Sequence, residues 1–419
     1  MNSSKLSDVS IIITKGTTPT TVGGRFIDEG INFVKSESVG QYKHLDNSLF
    51  QFIDEETDEK LKRSRLKEGD LLFSIAGAYL GKLSIVSNLD IPANTNQAVG
   101  VVRLDKQIVD VEYLYYYFSQ RNINEYINNL SSQSSQPNLN LGLLGNLSFD
   151  NKPLQTQKSI AKVLSELDSK IELNNKINQE LEAMAKTLYD YWFVQFDFPN
   201  EQGKPYKSRG GKMVYNAELK RGIPEGWEVK MLRDFAIIKK GTLITEKTAD
   251  TNGGIKVVSA GIDYSYFHSK SNYEENTITV SASGANAGFI NFWREPIFAC
   301  DCTTVRGGSI AETLLILEFL KMRQEYLYSQ AKGSAQPHVY PKDVEALKIA
   351  IPSNDLIVAF GKKTISTNKL IANNMKQNKR LIALRDWLLP MLMNGQVTVG
   401  VAEEKLSVAA EPVVEYKKG

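Results

Sequence analysis

Short polar loops of the chain carry the side chains best suited to reading the edges of DNA bases. Asn and Gln amides can form two hydrogen bonds with adenine in the major groove, and Arg can do the same with guanine. Side chains of these types, together with Lys, Ser, Thr, Tyr and His, stand in loops that follow or connect apparent strands. The candidates for DNA contact are Lys15, Thr17, Thr18, Lys35, Ser36, Tyr79, Asn94, Asn96, Gln97, Gln136, Asn138, Asn140, Lys240, Thr242, Asn286, Thr303, Arg306, Gln336 and His338.

Each candidate taken alone also has a structural interpretation, because polar side chains in turns commonly bond to backbone groups or to water. Gln136 and Gln336 occupy matching places in otherwise divergent segments, so a structural or phosphate-positioning role suits them at least as well as base contact. The aromatic run from Tyr113 to Phe118 could stack on bases. On a helix, however, it would spread round more than one face, which favours core packing.

Catalytic signatures are weak by comparison. Gly77 and Gly81 with the following Lys82 resemble a phosphate-binding loop, but the glycines are too close together and Leu83 stands where Ser or Thr would hold magnesium. A hairpin turn explains this segment better. No G-x-G-x-x-G segment opens a helix after a strand, and no Asn-Pro-Pro-Tyr or Asp-Pro-Pro-Tyr segment occurs. The usual cradles for a dinucleotide or methyl-donor cofactor and for a flipped base are therefore missing.

A metal site and a nuclease site have equally little support. Cys300 and Cys302, with Asp301 and His338, could be pictured around zinc, but they lack the Cys-x(2–4)-Cys spacing of structural zinc sites. The triplet Glu228–Lys230 has a nuclease-like form, yet such triplets arise by chance in charged chains and its position suggests a strand edge. The sequence predicts no catalytic residue and no metal ligand.

The polar loops belong to a unit that occurs twice in the chain. The segments Leu6–Thr17 and Leu232–Thr242 share Leu-x-Asp, an Ile pair and Lys-Gly-Thr, with one residue of slippage. Further segments match in the same order: Ile31–Val34 with Ile255–Val258, Phe73–Gly81 with Val280–Gly288, and Ser134–Leu139 with Ser334–Val339. The Phe73 and Val280 segments each predict a strand, a Gly-containing turn and a returning strand.

Each copy ends in a long helical segment whose seam residues alternate at spacings of four and three, as in a coiled coil. The first seam comprises Ile160, Leu164, Leu167, Ile171, Asn174, Asn178, Leu181, Ala185, Leu188 and Trp192, and the second comprises Thr364, Asn368, Ile371, Met375, Asn378, Ile382, Arg385, Leu389 and Leu392. Asn at a seam position lowers stability but specifies register. The two seams most simply pack on each other. The alternative is that each helix covers its own globular domain.

This order of segments predicts an α+β protein. Two repeated mixed α/β domains would be joined by two long helices packed as an antiparallel coiled coil. The predicted boundaries are 1–152 for the first domain, 153–200 for the central helix, 201–352 for a turn-rich linker with the second domain, 353–396 for the distal helix and 397–419 for a flexible C-terminal tail.

Composition narrows the class of protein. The 419 residues are 42% apolar and 23% charged, with a formal net charge of +2. Such a chain is globular, and it lacks the run of about 18 apolar residues that a membrane span needs. The charge balance argues against strong non-specific DNA binding, although a local basic face could still bind. Two cysteines cannot form a disulfide framework, so a reducing cytoplasm is the expected compartment.

The ordered features resemble the specificity subunit of a type I restriction–modification system. Ile223–Leu232 is similar to the lead-in of that family's second target-recognition domain. Leu188–Phe193 and Leu384–Gly395 are similar to the ends of its central and distal conserved helices. The resemblance extends from Lys5 to about Val397, and the order of domain, helix, domain and helix is its most specific feature.

The resemblance implies a non-catalytic subunit that binds double-stranded DNA with a bipartite, asymmetric target. It also implies two modification (methyltransferase) subunits and restriction (ATP-dependent translocase/nuclease) subunits as partners. S-adenosylmethionine, ATP and magnesium would be bound by those partners, with no cofactor in this chain and no membrane contact. The paired helices would set the gap between half-sites and dock the modification subunits. Apolar residues beyond the need of one seam are the candidates for docking: Tyr189, Tyr191, Phe193, Trp387, Leu388 and Met391.

Two other functions are alternatives to this interpretation. A self-sufficient nuclease or methyltransferase would be active as a purified chain with magnesium or a methyl donor. A coiled-coil scaffold without a DNA role would not retard a duplex in a band-shift assay, even with its partner subunits present.

Overall fold

The computed structural model of the protein describes residues 3–40, 43–77, 80–131, 138–331 and 337–410. The chain divides into two compact units, one made of Met1–Glu172 with Gln377–Gly419 and the other of Leu173–Lys376. Each unit holds one copy of the repeat and a segment of both long helices. The predicted α+β class, with two repeated mixed domains and two long helices, is confirmed.

The first copy contains short strands and short helices in alternating groups. The strands are β1 (Ser3–Lys5), β2 (Ser10–Lys15), β3 (Phe26–Ile27), β4 (Ile31–Val34), β5 (Gln51–Ile53), β6 (Leu71–Ser74), β7 (Leu83–Ile85), β8 (Ala93–Thr95), β9 (Val99–Leu104) and β10 (Ser148–Asp150). The helices are α1 (Glu55–Lys60), α2 (Val111–Ser119), α3 (Arg121–Ser131) and α4 (Leu141–Gly145). The first long helix, α5 (Leu154–Tyr189), follows and ends in a π-helical turn at Asp190–Val194.

After a linker that contains a hairpin, the described part of the second copy repeats this order without counterparts of β3 and α1. The strands are β11 (Met213–Asn216), β12 (Arg221–Pro224), β13 (Glu228–Met231), β14 (Ile237–Lys240), β15 (Ile255–Val258), β16 (Tyr266–His268), β17 (Thr277–Ser281), β18 (Ile290–Trp293), β19 (Ile297–Ala299), β20 (Cys302–Arg306) and β21 (Lys348–Ile351). The helices are α6 (Ile310–Lys321), α7 (Gln324–Gln330), α8 (Pro341–Glu345), the long α9 (Asn354–Met393) and α10 (Val399–Ala410).

The sheets of the two copies correspond, except that β3 has no counterpart among the described strands of the second copy. An antiparallel sheet in the order β2-β9-β6-β7 matches one in the order β14-β20-β17-β18. A mixed sheet, β3-β5-β4-β8, matches β16-β15-β19, and each contains one parallel pair. The antiparallel pair β1 with β10 matches β13 with β21. Because the pairing order is the same in both copies, matching loops emerge from matching strand ends.

A β-bulge accounts for the one-residue slippage between the copies. In β2, Ser10 lies opposite Leu104 while Ile12 lies opposite Arg103, so Ile11 has no partner residue. The second copy has no such irregularity, and Ile237 lies opposite Arg306. One extra residue on one strand is the defining feature of a bulge. The two Lys-Gly-Thr segments therefore end their strands in the same register.

The Gly of each Lys-Gly-Thr segment is required by a close backbone contact. A Cβ atom on Gly16 would lie 1.8 Å from the carbonyl oxygen of Thr95, and one on Gly241 would lie 2.1 Å from that of Cys300. The predicted hairpin turns are also confirmed, and their first glycines adopt positive φ, +80° at Gly77 and +77° at Gly284. Glycine adopts both arrangements without steric cost.

In each unit the long helices pack on the domain as well as on each other. In the first unit Leu164, Leu167 and Leu388 join the same buried cluster as the strand residue Phe73. In the second unit Phe360 of α9 and the aromatic end of α5 share the core of α6. The two packing modes that the sequence left as alternatives thus occur together.

The helix segments run antiparallel within each unit. In the first unit the Asn378 amide donates to the Ile171 carbonyl oxygen (3.4 Å), and Arg385 pairs with Asp168 (2.9 Å). In the second unit the Asn374 amide nitrogen lies 2.9 Å from the Asn178 amide oxygen. Residue numbers rise along one helix as they fall along the other, so the predicted antiparallel pairing is confirmed.

Part of the second predicted seam is wrong by one residue. Met375 and Ile382 are 43% and 39% exposed, whereas Leu381 and Leu388 are fully buried. Both Leu residues belong to the core cluster of the first unit. The buried stripe of α9 is therefore shifted toward the domain that the helix covers, because that domain buries apolar area in addition to the seam.

Two segments predicted to be irregular are ordered. The linker forms the antiparallel hairpin β11–β12, and Phe198 stacks between Tyr206 (4.7 Å between ring centroids) and Trp227 (5.5 Å). The supposed tail contains α10, whose Ala402 is fully buried in the first unit's core. Apolar residues at helical spacing, Ala402, Leu406 and Ala409, gain this core as a partner surface. Across the described residues, no helix combines the length and apolarity needed to cross a membrane.

Candidate nucleic-acid interface

Several loops of the first copy converge at one end of its antiparallel sheet. The Gly16 amide donates to the Asn96 carbonyl oxygen (3.1 Å), and the Ile75 amide donates to that of Ala98 (2.8 Å). Leu139 in turn donates to the Ile75 carbonyl oxygen (2.8 Å), so the segment that includes Asn138 joins the group. We call this group, residues 15–18, 75–77, 96–98 and 138–140, the first loop cluster.

The polar side chains of the first loop cluster are partly held in place. The Thr18 hydroxyl donates to the Gln97 amide oxygen, and the Asn96 amide oxygen accepts from the Ala98 backbone (3.0 Å). Asn138 and Asn140 are exposed. The Asn140 amide oxygen also caps α4 by accepting from the Leu143 amide (2.9 Å), which is the usual role of Asn at a helix N-terminus.

Candidates near the first loop cluster differ in how they are placed. Lys35 and Ser36 follow β4, where the Lys35 ammonium lies over the Phe26 ring (5.2 Å to the centroid) and Ser36 bonds to Glu37 (3.1 Å). Lys15 ends β2, and its carbonyl oxygen lies 3.5 Å from the Arg63 guanidinium. Sequence reasoning missed Arg63, because only the fold brings it to β2.

Asn94 is a correction, since it is fully buried in β8. Its amide nitrogen donates to Asp58 (2.9 Å) and to the Leu61 carbonyl oxygen (3.1 Å), and its amide oxygen accepts from Ser64 (2.7 Å). A buried amide needs such partners, because an unsatisfied polar group in the interior is costly. Asn94 therefore organises the interior of the first domain and does not face a DNA-accessible surface.

The second copy builds a matching group of loops. The Gly241 amide donates to the Cys302 carbonyl oxygen (2.8 Å), and the Gly284 amide donates to that of Pro337 (3.0 Å). The Val339 amide bonds to Ala282 (3.0 Å), which places His338 beside the hairpin turn. This second loop cluster, residues 240–242, 282–286, 300–301 and 337–340, brings together Lys240, Thr242, Asn286 and His338.

The side chains of the second loop cluster differ from those of the first. Lys240 and Thr242 are exposed, and Asn286 is half-buried at the hairpin tip. The His338 ring stacks on Tyr340 with 5.9 Å between centroids. The Ser283 hydroxyl bonds to Asp301, a carboxylate that sequence reasoning did not select. Asp301 lies between the buried residues Cys300 and Cys302, so its sequence context did not resemble a polar loop.

Two second-copy candidates lie outside the second loop cluster. Thr303 is buried within β20, opposite Lys240. Arg306 lies opposite Ile237, about 10 Å further along the strand at a rise of about 3.3 Å per residue. Both faces of β20 are covered, so Thr303 is buried together with its neighbours Cys302 and Thr304, and strand length carries Arg306 away from the loops. Tyr79, Gln136 and Gln336 lie outside the described residues.

The docking candidates fall into two groups. Tyr189 and Phe193 are buried in the second unit's core, and Leu388 is buried in the first unit's core, so these three are corrections. Tyr191 and Trp387 are exposed, and Met391 is half-buried. Tyr189, Phe193 and Leu388 are buried against the domain that each helix covers. Burial also raises the pKa of the Tyr189 hydroxyl well above its usual range.

A groove of about 690 Å³ lies along α5 and α9 within the second unit. Met184, Leu188 and Tyr191 supply its apolar walls, and Glu180 and Lys363 stand among its polar residues. Met184 is 65% exposed, so its apolar surface is open within the groove. Sequence reasoning missed Met184, although its place beside the seam was a usable signal.

The described residues contain no group of three or more His, Cys, Asp or Glu side chains placed to hold a metal ion. Cys300 and Cys302 are both free thiols and both buried. Burial raises the pKa of the Cys302 thiol to about 12, so this thiol stays protonated at neutral pH. The aromatic run is core, as predicted, with Tyr113, Tyr116 and Phe118 buried.

Known proteins share both the sequence pattern and the fold. A sequence model of the type I restriction modification DNA specificity domain matches residues 1–183 and 224–382. The type I restriction enzyme MjaIX specificity subunit of Methanocaldococcus jannaschii is 27% identical, over 94% of this chain and 93% of that protein. The HindI specificity subunit of Haemophilus influenzae is 24% identical, over 80% and 88%. The crystal structure of a type I S subunit from M. genitalium covers 94% of this chain and 96% of its own, with a TM-score of 0.58 at 17% identity.

Proposed function

The chain belongs to the type I restriction–modification DNA specificity family, and on that premise we propose that each recognition domain reads one half of a bipartite, asymmetric DNA target. Members of this family are non-catalytic specificity subunits, and this chain is one of them with two recognition domains. Methyl transfer with S-adenosylmethionine, and ATP- and magnesium-dependent cleavage, belong in this proposal to partner subunits in the cytoplasm.

The observation that carries the proposal is the pair of loop clusters. Both rest on the same strand order and on the same close approach at Gly16 and Gly241. Their polar side chains nevertheless differ: Asn138 in the first stands where His338 stands in the second, since both form bridges to the hairpin turn. Two equal frameworks with unequal side chains suit a target whose halves have different sequences.

The groove and the exposed helix residues support docking of the modification subunits. Apolar surface is exposed by Met184 on α5, by Tyr191 on the π-helical turn that follows it, and by Trp387 on α9. Exposed apolar surface of this kind usually marks a protein contact. A net charge of +2 also fits a subunit that shares phosphate contacts with its partners. In this proposal two modification subunits bind the paired helices, restriction subunits complete the complex, and the helices set the gap between half-sites.

The decisive experiment exchanges residues 223–352 for the corresponding domain of a relative with a known target. The complex of the variant with modification subunits should methylate DNA at sites in which one half has changed. Sequencing of methylated sites measures this directly. A change in both halves would contradict separable domains. Methylation by the purified chain alone would instead support a self-sufficient enzyme.

Docking is tested separately by charge on the exposed apolar residues. Met184→Asp and Trp387→Asp should each weaken assembly with the modification subunit, because a carboxylate would be buried in an apolar contact. Leu89→Asp is the matched control, since Leu89 is an exposed apolar residue far from both long helices in sequence. Analytical size exclusion should show loss of the complex for the first two variants only. Intact complexes for all three would reject the docking proposal.

A further inference from the structure

A polar chain of contacts ties the second recognition domain to both long helices. The Arg294 guanidinium, in the turn between β18 and β19, donates to the Asn368 amide oxygen of α9 (2.8 Å) and to the Glu182 carboxylate of α5 (2.8 Å). The Asn368 amide nitrogen donates to the Asn276 amide oxygen, in the segment before β17 (2.8 Å). All four residues belong to the second unit.

These contacts are placed where they can fix the orientation of the second recognition domain relative to the two helices. The Arg294 side chain is 10% exposed and Asn368 is buried, so water competes weakly for their bonds. Arg294 also packs on Phe292, 5.0 Å from the ring centroid, which limits its rotamers. A single planar guanidinium with donors to two different helices restrains rotation as well as separation.

The first recognition domain has no counterpart of this link at the matching positions. Gly69 matches Asn276, because Gly69 donates to Val86 (2.9 Å) as Asn276 donates to Trp293 (2.7 Å). Both residues have positive φ, +85° at Gly69 and +63° at Asn276. The second copy therefore places a side chain where glycine would be the unstrained choice, although Asn tolerates this conformation better than most residues.

The residue that corresponds to Arg294 is also different in the first copy. Ser87 follows Val86 as Arg294 follows Trp293, and it bonds to Asp90 within its own turn (2.9 Å between the Ser87 hydroxyl and the carboxylate). The link through Arg294 and Asn276 is thus specific to the second copy. The first copy reaches the long helices at a different place, where the Tyr116 hydroxyl of α2 donates to Asp168 of α5 (2.6 Å). Asn276 adopts a left-handed backbone conformation and bonds through its side chain to a helix. This combination suggests that the bond itself is functionally important.

We infer that Arg294 and Asn276 are positioning residues that lock the second recognition domain to the paired helices and so hold a single gap between the two halves of the DNA target. The inference deepens the proposed function and rests on it. The residues do not read bases. They fix the direction from which the second loop cluster approaches the duplex, because rotation of that domain about the helices would move its half-site along the DNA.

The test compares methylated sites produced by wild-type, Arg294→Met and Asn276→Gly chains in complex with modification subunits. Asn276→Gly keeps the left-handed turn, as Gly69 does in the first copy, and removes only the side chain that meets Asn368. Lys256→Met is the matched control, because Lys256 pairs with Glu295 in the same turn (2.8 Å) and that ion pair includes no helix residue. Both lock variants should keep both half-site sequences but change a single gap length into a mixture of neighbouring lengths.

The outcomes separate the inference from the proposed function. A wild-type complex that methylates no two-part site would overturn the proposed function itself. Suppose the wild-type complex methylates a two-part site, and an active Asn276→Gly complex methylates sites with the same single gap. That result would overturn only the inference about Arg294 and Asn276. Altered bases in the second half-site would also overturn it, because the residues would then act in reading. If Arg294→Met fails to assemble with the modification subunits, the gap lengths produced by Asn276→Gly test the inference.

Discussion

The two recognition domains keep one framework but stabilise it with different polar chemistry, most clearly at a matching pair of arginines. Arg103 and Arg306 occupy the same register position, opposite Ile12 and Ile237. Arg103 makes two bonds to the Asp70 carboxylate (2.8 and 2.7 Å), and Asp70 is almost fully buried. Arg306 meets the hydroxyl of Thr277 instead, at 3.4 Å.

The difference teaches which features the fold cannot exchange. Glycine recurs at equivalent places, as at Gly16 and Gly241, because any other residue would place a Cβ atom against the opposing backbone. The polar partners of the matching arginines differ, because the fold requires only that no buried charge is left without a partner. At this position the first copy pairs its arginine with a buried carboxylate, whereas the second copy pairs its arginine with a neutral hydroxyl group.

Replacement of the two arginines should have the largest and most unequal effect. Arg103→Met leaves the Asp70 carboxylate buried without its partner and should lower the free energy of unfolding by about 4 kcal/mol. Arg306→Met removes one long hydrogen bond and should cost less than about 1 kcal/mol. Urea unfolding of each variant measures both values.

The double variant Arg103→Met with Asp70→Leu is the control for this prediction. It removes both charges together and should recover much of the lost stability. Equal losses for Arg103→Met and Arg306→Met would contradict the view that the copies use different stabilising chemistry.

Alanine at the two close-contact glycines should have a smaller but equal effect. Gly16→Ala and Gly241→Ala would each drive a methyl group into a backbone carbonyl, which cannot move aside as a side chain can. A loss of about 3 kcal/mol is expected for each variant. Gly254→Ala is the control, because its added Cβ would meet no atom within 4 Å. A near-neutral result at either contact would mean that the two strand ends are not equivalent after all.

The smallest predicted effect depends on pH and belongs to the second copy alone. Burial raises the pKa of Glu318 in α6 above its usual value of 4.5, despite Lys321 at 3.5 Å. Burial disfavours the charged form, so this side chain favours folding most at low pH. Its contribution is lost as the pH rises from about 4.5 through the raised pKa.

Glu318→Gln should remove this dependence. At pH 8 the variant should be more stable than the wild type, and near pH 4 the difference should vanish. The matching residue of the first copy, at the same distance from its helix N-cap, is Ser119, which bonds to the Tyr115 carbonyl oxygen. Ser119→Ala should therefore show no such pH profile. Unfolding midpoints across this pH range provide the measurement.

Sequence reasoning succeeded where the signal is local or repeated. The hairpin turns at Gly77 and Gly284 follow from the glycines, and the recurrence of the hairpin in both copies follows from the repeat itself. The spacing of Ile160, Leu164 and Leu167 was enough to predict a buried helix face. Short-range geometry decides these features, so neighbouring residues carry the information.

Candidate residues failed where burial depends on distant segments. Asn94 looked like a loop amide, but Asp58, Leu61 and Ser64 surround it from another part of the chain. Thr303 is of a type suited to base contact, yet both faces of its strand are covered by other segments, so it is buried. A residue type indicates what a side chain can bond to, whereas only the packed neighbours determine whether a ligand can reach it.

By itself the sequence determined a twofold repeat, two long helices and loops rich in polar side chains of types that can bond to bases, because periodicity and glycine placement are properties of adjacent residues. Only the tertiary structure decided that Leu388 is core while Trp387 is surface, that α10 is ordered, and that Arg294 reaches both helices. Those outcomes depend on which surfaces meet, and apolar burial and polar pairing are settled between segments that are far apart in the chain.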